Sequence, residues 1–382
     1  MHMTDCHAQL KPIHFREPNV NLGIGSMKGN LPHLVGEHLL KVAKIRPGTA
    51  EANIAQQLWF TDVATKAVLP RFQQSGKPFA MVFWSRDPDG TQHNHGDSLG
   101  RLVPGINGPT SLAAIKNADD NLGAILAALK EQGLDGTTDV ILTSDHGFST
   151  ISKESATSWA ATRSYKSVTA NQLPSGFLAI DIAHAMSMSI FDPDNKNAAL
   201  ADGVAPARGN GLIGSDPAKP EIVVAANGGS DLVYLPGADK ALAARIVAFL
   251  SKQDYVSGLF VDDALGKIPG TLPLSAISLK GAAVTPQPAI VVNFRSFSTG
   301  CADPTTCGAT VSDTGLQQGQ GMHGSFSRAE TQNIMAALGP SFRKKFVDTA
   351  PASNADIGRT MAHLLALKIE APCAEALAAC IR

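Results

Sequence analysis

The chain has 382 residues, of which 44% are hydrophobic and 17% are charged, and its 32 Lys and Arg residues nearly balance its 33 Asp and Glu residues. This composition is typical of a globular protein with one large α/β domain or two smaller ones. The balanced charge gives no basic surface for nucleic acid and no polybasic patch for a membrane, and no apolar run approaches the roughly 20 residues of a membrane span.

The first elements along the chain are loops, a helix and a strand. Residues 1–48 mix Gly, Pro, His and Asn without periodic apolar positions, which predicts loops and short turns. From Thr49, a residue type suited to an N-cap, apolar side chains recur at helical spacing and predict a helix that ends near Gly76. The apolar run at 78–84 then predicts a buried strand, which stops at the turn-forming residues 86–90.

A second helix and a second strand follow in the same order. Residues 112–129 place apolar side chains on one helical face, and residues 139–143 predict the next buried strand. This alternation of strands and helices predicts a largely parallel sheet covered by helices. Candidate ligand residues follow both strands, at the carboxyl end where such sheets bind ligands.

The rest of the chain is less regular. Residues 151–220 are rich in turn-forming residues and predict a surface insertion or cap that carries little core. Strands are then expected at 221–226, 232–235, 289–294 and 333–340, and helices at 240–251 and from Ser353. A hairpin or bulge is expected at Asn227-Gly228-Gly229. The predicted division is the first part of an α/β core at 1–150, the insertion or cap at 151–220, the rest of the core at 221–370 and a tail at 371–382.

Five cysteines bear on the compartment: Cys6, Cys301, Cys307, Cys373 and Cys380. Cys301 and Cys307 share a turn-rich loop in which a disulfide is sterically easy, with two free thiols as the alternative. If Cys373 and Cys380 lie on a regular helix, their Cα atoms are about 10 Å apart, too far for a bridge. The cysteines favour an oxidising compartment.

Three short segments carry the residues that can bind a metal. Asp and His in such loops bind zinc through oxygen and imidazole nitrogen, and two clustered ions can drive phosphoryl transfer. The candidate ligands are Asp89, His93, Asp145, His146 and His323. Each motif alone is also explained by a capped turn, so the prediction rests on their joint occurrence.

Other residues that could belong to a metal or phosphate site have simpler interpretations. His95 is interpreted as a solvated loop histidine, with a donor to the metal ligands as the alternative, and His363 as an ordinary helix residue. Asn227-Gly228-Gly229-Ser230 could approach a phosphate through backbone N–H groups, but a hairpin turn needs the same residues.

The joint pattern resembles the alkaline phosphatase superfamily, and within it the type I phosphodiesterase and nucleotide pyrophosphatase group. The resemblance runs from about Trp59 to Leu367. The segments that carry it are Pro88-Asp89 with His93, residues 117–123 leading to 142–148, residues 321–324, and the later residues 338–342 and 356–360.

The resemblance implies a three-layer α/β/α sandwich with a largely parallel central sheet, and two Zn²⁺ ions. Asp89, His93 and His323 would hold one ion, and Asp145 and His146 the other. The implied activity is hydrolysis of small-molecule phosphoric esters, with diesters preferred over monoesters.

The nucleophile is the missing part of this pattern. The group uses a Thr or Ser at a helix start and an Asp at the end of the first strand, and neither Thr4-Asp5 nor Ser26 has the flanking strand and helix. We therefore expect the nucleophile upstream of this chain and expect the chain alone to be inactive or weakly active. No signal peptide is visible, and export or a periplasmic location is expected for the full-length protein.

Two other functions fit the same residues. One is a metal-dependent phosphomutase of the same superfamily, which would use Mn²⁺. The other is a non-catalytic binding module that keeps its metals without the nucleophile. The sequence does not indicate the oligomeric state.

Overall fold

The apolar side chains of the protein collect in separate cores that belong to two units of the chain. The computed structural model describes residue 52 and residues 54–279 and 286–367. The sheet unit comprises His93–Gly108 and His146–Gln332, and the helix unit comprises the described residues up to Gln92, Pro109–Asp145 and those from Asn333. The predictions for residues 1–48, Thr49, three of the cysteines and the tail lie outside the described residues.

The helices are named in chain order. They are α1 (Ile54–Val63), α2 (Leu69–Ser75), α3 (Asp89–Asn94), α4 (Pro109–Glu131), α5 (Phe177–Met186), α6 (Lys240–Leu250), α7 (Arg328–Thr331) and α8 (Asn354–Leu364). A π-helical stretch, Ala64–Val68, joins α1 to α2. Short 3₁₀ turns lie at Gly105–Asn107, Ala160–Thr162, Pro193–Asn195, Asp263–Leu265 and Leu274–Ile277.

The strands are named in the same way. They are β1 (Val140–Thr143), β2 (Ser149–Ser152), β3 (Ile190–Asp192), β4 (Ala198–Ala199), β5 (Gly211–Ile213), β6 (Ile222–Asn227), β7 (Ser230–Tyr234), β8 (Val256–Val261), β9 (Leu272–Pro273), β10 (Ile290–Phe294), β11 (Ser296–Ser298), β12 (Gly308–Val311), β13 (Gly321–Met322) and β14 (Met335–Leu338). The α/β class predicted from the sequence is confirmed.

The strand directions differ from the prediction. The sheet unit holds an eight-stranded sheet in the order β4-β3-β5-β6-β7-β10-β8-β9 and a four-stranded sheet in the order β11-β12-β2-β13. Among the described ladders only β2–β12 and β8–β9 are parallel. Short links such as the two residues between β6 and β7 allow antiparallel pairing only, whereas parallel neighbours need long crossovers.

The main core of the sheet unit lies around α5 and α6. Asp239 caps α6 by accepting hydrogen bonds from the backbone N–H groups of Ala241 and Leu242, which satisfies two donors at the helix start. Helix α5 packs against α6 and β5 and is buried along most of its length. Its core side chains include Phe177, Leu178, Ile180 and Ile182.

Helix α5 falls inside residues 151–220, which were expected to carry little core. That expectation is wrong, because the apolar residues of this stretch are concentrated in one ten-residue helix while turn residues dominate its overall composition. In the same unit, Cys301 and Cys307 form the disulfide, with 6.1 Å between their Cα atoms.

The helix unit is built around the long helix α4. Leu69, Ile125 and Leu129 form its buried centre, and α1 packs against α4. The prediction of a buried strand at 78–84 is wrong, because this run forms no ladder with another described segment, although Phe79, Met81 and Phe83 pack against this core. β1 instead pairs antiparallel with β14. Among the described residues, no helix combines the length and apolarity needed to cross a membrane.

Asp181 on α5 gives the sheet unit a pH-dependent stability. Its carboxyl group is fully buried, and burial raises its pKa to about 6, although a hydrogen bond from the backbone N–H of Ala160 opposes this. The folded chain therefore binds more protons than the unfolded chain between pH 3.8 and about 6. The contribution of Asp181 to the free energy of unfolding falls as the pH rises through this window.

We expect Asp181→Asn to remove about 3 kcal/mol of this pH dependence, since one pKa unit corresponds to about 1.4 kcal/mol. The measurement is the free energy of unfolding by guanidinium chloride at pH 4, 5, 6 and 7. Asp216→Asn, on an exposed loop of the same unit, is the control and should follow the wild type. Parallel pH profiles for Asp181→Asn and the wild type would contradict the assignment.

Candidate metal centre

Three of the five predicted ligands meet in the structure. Asp89 and His93 lie four residues apart on α3, a spacing that puts two side chains on the same helical face. His323 follows β13 directly and is almost fully buried. One ligand atom from each of the three side chains lies within 4.8 Å of the others. Because both residues belong to one helix, the helix fixes Asp89 relative to His93.

A hydrogen bond orients His93 within this triad. Its Nδ1 lies 2.8 Å from the carbonyl oxygen of Gly321, two residues before His323. A carbonyl oxygen only accepts, so Nδ1 donates and carries the ring proton. Nε2 then keeps its lone pair for a metal ion, the arrangement that metal-binding histidines adopt.

A buried carboxylate positions the helix that bears Asp89. Asp87 accepts hydrogen bonds from the hydroxyl of Thr91 at 2.6 Å and from the side-chain amide of Asn117 at 2.9 Å. Thr91 belongs to α3 and Asn117 to α4, so Asp87 fastens the short helix to the long one. The sequence predicts Asp87 only as a turn residue, because its role depends on Asn117, which lies 30 residues away in the chain.

His146 lies beside the triad. Its ring stacks on the ring of His323, with 3.7 Å between centroids and 18° between planes. Its Nδ1 donates to the carbonyl oxygen of Gly147 at 2.9 Å, which directs Nε2 away from its own backbone. Within the described residues, neither His146 nor Asp145 joins a group of three possible ligands. The structure thus brings the first predicted set together and places His146 against it.

The segment that carries Asp145 and His146 is held by side-chain amides and close packing. Asn354, at the start of α8, donates to the carbonyl oxygens of Ser144 and Asp145, at 2.8 and 3.2 Å. The N–H of Gly147 donates to the carbonyl oxygen of Glu330 at 2.7 Å. A Cβ at Gly147 would lie 2.0 Å from the carbonyl oxygen of Ala329, so only glycine fits there. Asn354 and Glu330 were not identified from the sequence.

Phe148 forms an apolar wall among the histidines. Its ring centroid lies 4.9 Å from that of His93, 5.4 Å from that of His323 and 5.8 Å from that of His146. The imidazoles therefore have an aromatic neighbour rather than open solvent on this side. Such a surrounding strengthens electrostatic interactions at the ligand atoms, because it lowers the local dielectric constant.

Two alternatives left open by the sequence are now decided. His95 is fully buried, so its interpretation as a solvated loop histidine is wrong. Burial lowers its pKa, and the carboxylate of Asp97, 4.0 Å from Nδ1, opposes this effect. The glycines of Asn227-Gly228-Gly229 form the β6–β7 hairpin, and their N–H groups donate to the carbonyl oxygens of Asp313 and His323. His363 is exposed on α8, as an ordinary helix residue.

The donor types of the triad fit a catalytic zinc site. Two imidazoles and one carboxylate form a known set of three protein ligands that leaves a further position for water or substrate. Imidazole ligands suit zinc, whereas manganese prefers sites richer in oxygen. The arrangement can therefore bind a divalent cation and present it to an oxyanion.

Comparison with known proteins supports the resemblance predicted from the motifs. The family model of type I phosphodiesterase / nucleotide pyrophosphatase matches residues 33–207, which include Asp89, His93, Asp145 and His146. The resemblance to this group is thus confirmed over that part of the chain. The comparison with curated proteins finds no match.

Solved structures of ectonucleotide pyrophosphatase/phosphodiesterase 5 are also similar to the chain. The human protein is 16% identical, with a TM-score of 0.42 and coverage of 86% of this chain and 63% of that chain. The murine protein is 15% identical, with a TM-score of 0.41 and coverage of 85% and 62%. An inactive murine variant in complex with AMP is 16% identical, with a TM-score of 0.38 and coverage of 75% and 54%. The chain spans less than two thirds of the length of each of these proteins.

The role of Asp87 can be tested without touching a ligand. Asp87→Ala removes both acceptors that fasten α3 to α4, and we expect it to weaken zinc binding about tenfold to a hundredfold, as is typical for partners of metal ligands. Isothermal titration calorimetry on the metal-depleted protein measures this. Asp120→Ala, which removes an exposed ion pair with Lys116 on α4, is the control and should bind like the wild type. A folded Asp87→Ala protein with wild-type affinity would refute the role.

Proposed function

We propose that the protein is a zinc-dependent hydrolase of phosphoric esters, with small phosphodiesters or nucleotide pyrophosphates as its substrates. The observation that carries this proposal is the convergence of Asp89, His93 and His323. The match of residues 33–207 to type I phosphodiesterases supports the same reaction class.

We assign the triad to one zinc ion, and Asp145 and His146 to a second. When bound, zinc supplies a Lewis acid that stabilises negative charge on phosphoryl oxygens and lowers the pKa of an attacking oxygen. Asp89, His93 and His323 hold the first ion, and the carbonyl oxygen of Gly321 keeps His93 in the tautomer that binds metal through Nε2. Phe148 limits the access of water to the imidazoles.

We assign no nucleophile among the described residues. The triad favours zinc over the manganese of a phosphomutase, because it contains two imidazoles and one carboxylate. We also propose export to an oxidising compartment, which the disulfide between Cys301 and Cys307 supports.

Metal binding and hydrolysis should be measured separately on the same protein. After dialysis against a chelator, we expect zinc to bind the wild-type chain, and we expect the double variant His93→Ala, His323→Ala to lose at least one ion per chain, because two of three ligands are removed. Metal content is determined by mass spectrometry, and hydrolysis with bis(p-nitrophenyl) phosphate and p-nitrophenyl phosphate. His363→Ala, at an exposed histidine outside the site, is the control.

The outcomes separate the candidate functions. Zinc binding with faster turnover of the diester than of the monoester supports the proposed hydrolase. Zinc binding without any turnover favours the non-catalytic binding module. A well-folded wild-type chain that binds no zinc, or a double variant that retains all of it, would overturn the metal centre.

A further inference from the structure

The β6–β7 hairpin makes direct contact with the backbone of His323. β13 pairs with β2 only through Gly321 and Met322, so His323 is the first residue beyond that ladder. At this point the N–H of Gly229 donates to the carbonyl oxygen of His323, with 3.0 Å between the two atoms. The buried hydroxyl of Ser230 donates to the carbonyl oxygen of Gly324, the next residue.

The two backbones approach as closely as glycine allows. A Cβ at Gly228 would lie 2.6 Å from the carbonyl oxygen of His323, and one at Gly229 would lie 2.5 Å from the backbone nitrogen of Ser325. Gly324 has a φ of +103°, and a Cβ there would lie 2.5 Å from the carbonyl oxygen of Asn227. Glycine is therefore required on both sides of the contact, because a side chain would separate the segments.

Hydrogen bonds to other parts of the sheet unit hold the hairpin in place. The carboxylate of Asp231 accepts a hydrogen bond from the backbone N–H of Asn227 at 2.9 Å, and Gly228 exchanges two backbone hydrogen bonds with Asp313. The carbonyl oxygen of Gly229 accepts from the N–H of Phe294 on β10. The tip is thus fixed by the eight-stranded sheet before it meets His323.

We propose that this hairpin is a positioning element for the metal centre, in which Gly229 and Ser230 set the backbone position of His323 and thereby the placement of its imidazole. This inference rests on the proposed metal site but concerns residues that bind no metal themselves. The β2–β13 ladder ends at Met322, and beyond it these two hydrogen bonds restrain the backbone of His323 and Gly324.

The test separates positioning from stability. Ser230→Ala removes one restraint and keeps the hairpin, and Gly229→Ala forces the segments apart. Ser251→Ala is the matched control, because its hydroxyl also donates to a backbone carbonyl oxygen of the sheet unit, that of Val247 on α6, and Ser251 is not part of the triad. Zinc affinity by calorimetry, the visible spectrum of the Co²⁺-loaded protein and thermal unfolding of the metal-depleted protein are measured for each.

We expect zinc affinity to fall about tenfold in Ser230→Ala and further in Gly229→Ala, with a changed Co²⁺ spectrum, while Ser251→Ala keeps both wild-type values. Thermal unfolding of metal-depleted Ser230→Ala should resemble that of Ser251→Ala. If the wild type binds zinc and Ser230→Ala binds it equally well with the same Co²⁺ spectrum, the positioning role is wrong although the metal centre stands. If the wild type binds neither ion, the metal centre fails and this inference with it.

Discussion

The hydrogen bond from Nδ1 of His93 to the carbonyl oxygen of Gly321 joins residues 228 positions apart in the chain. It brings the C-terminal end of α3 to the strand that precedes His323, and it fixes the tautomer of His93. The triad depends on it in both respects. Without it, His93 could turn on its own side-chain torsions, and its tautomer would no longer be fixed.

The surroundings of this contact are built from buried charge as well as apolar packing. The ammonium group of Lys153 donates to the carbonyl oxygens of Ser312 and Thr314, at 2.9 and 2.6 Å. Burial lowers the pKa of Lys153 to about 8, while the carboxylates of Asp313 and Asp231 oppose that shift. A buried amine is costly unless its partners are in place, so this cluster tolerates few alternative arrangements of the chain.

The same cluster fixes the hairpin that reaches His323. Because Lys153 holds the backbone on both sides of Asp313, the strand segment that pairs with Gly228 is kept in position. A chain of contacts therefore runs from the buried ion cluster through the glycine turn to His323, a proposed metal ligand. Each step is a contact between neighbouring groups, and none of the intermediate residues needs to touch the ion.

The sequence predicted those parts of the molecule that are encoded locally. The spacing of Ile125 and Leu129 reports one buried face of one helix, and α4 is found there. Asp89 and His93 could be paired because four residues of helix separate them. The β6–β7 hairpin was likewise expected from Asn227-Gly228-Gly229, since a turn depends on its own residues.

The parts that were missed depend on partners distant in the chain. Strand direction is set by which segments pair, and periodicity in β1 carries no information about β14. His95 is buried by segments that its neighbours in sequence do not reveal. Asp87 reads as a turn residue until Asn117 is seen beside it, 30 residues later.

The three side chains of the triad are restrained in three different ways. As a result, the features that decide which metal ion the site prefers differ from those that decide how tightly the site binds it. The buried carboxylate of Asp87 holds the helix that bears Asp89, a carbonyl oxygen holds the ring of His93, and the backbone of a hairpin holds His323. The donor atoms, one carboxylate and two imidazoles, determine which ion is preferred. The restraints determine how much side-chain freedom must be lost on binding, and hence how tightly that ion is held. Substitutions around the site should therefore change affinity by graded amounts without changing the preferred metal, whereas replacing a ligand changes both.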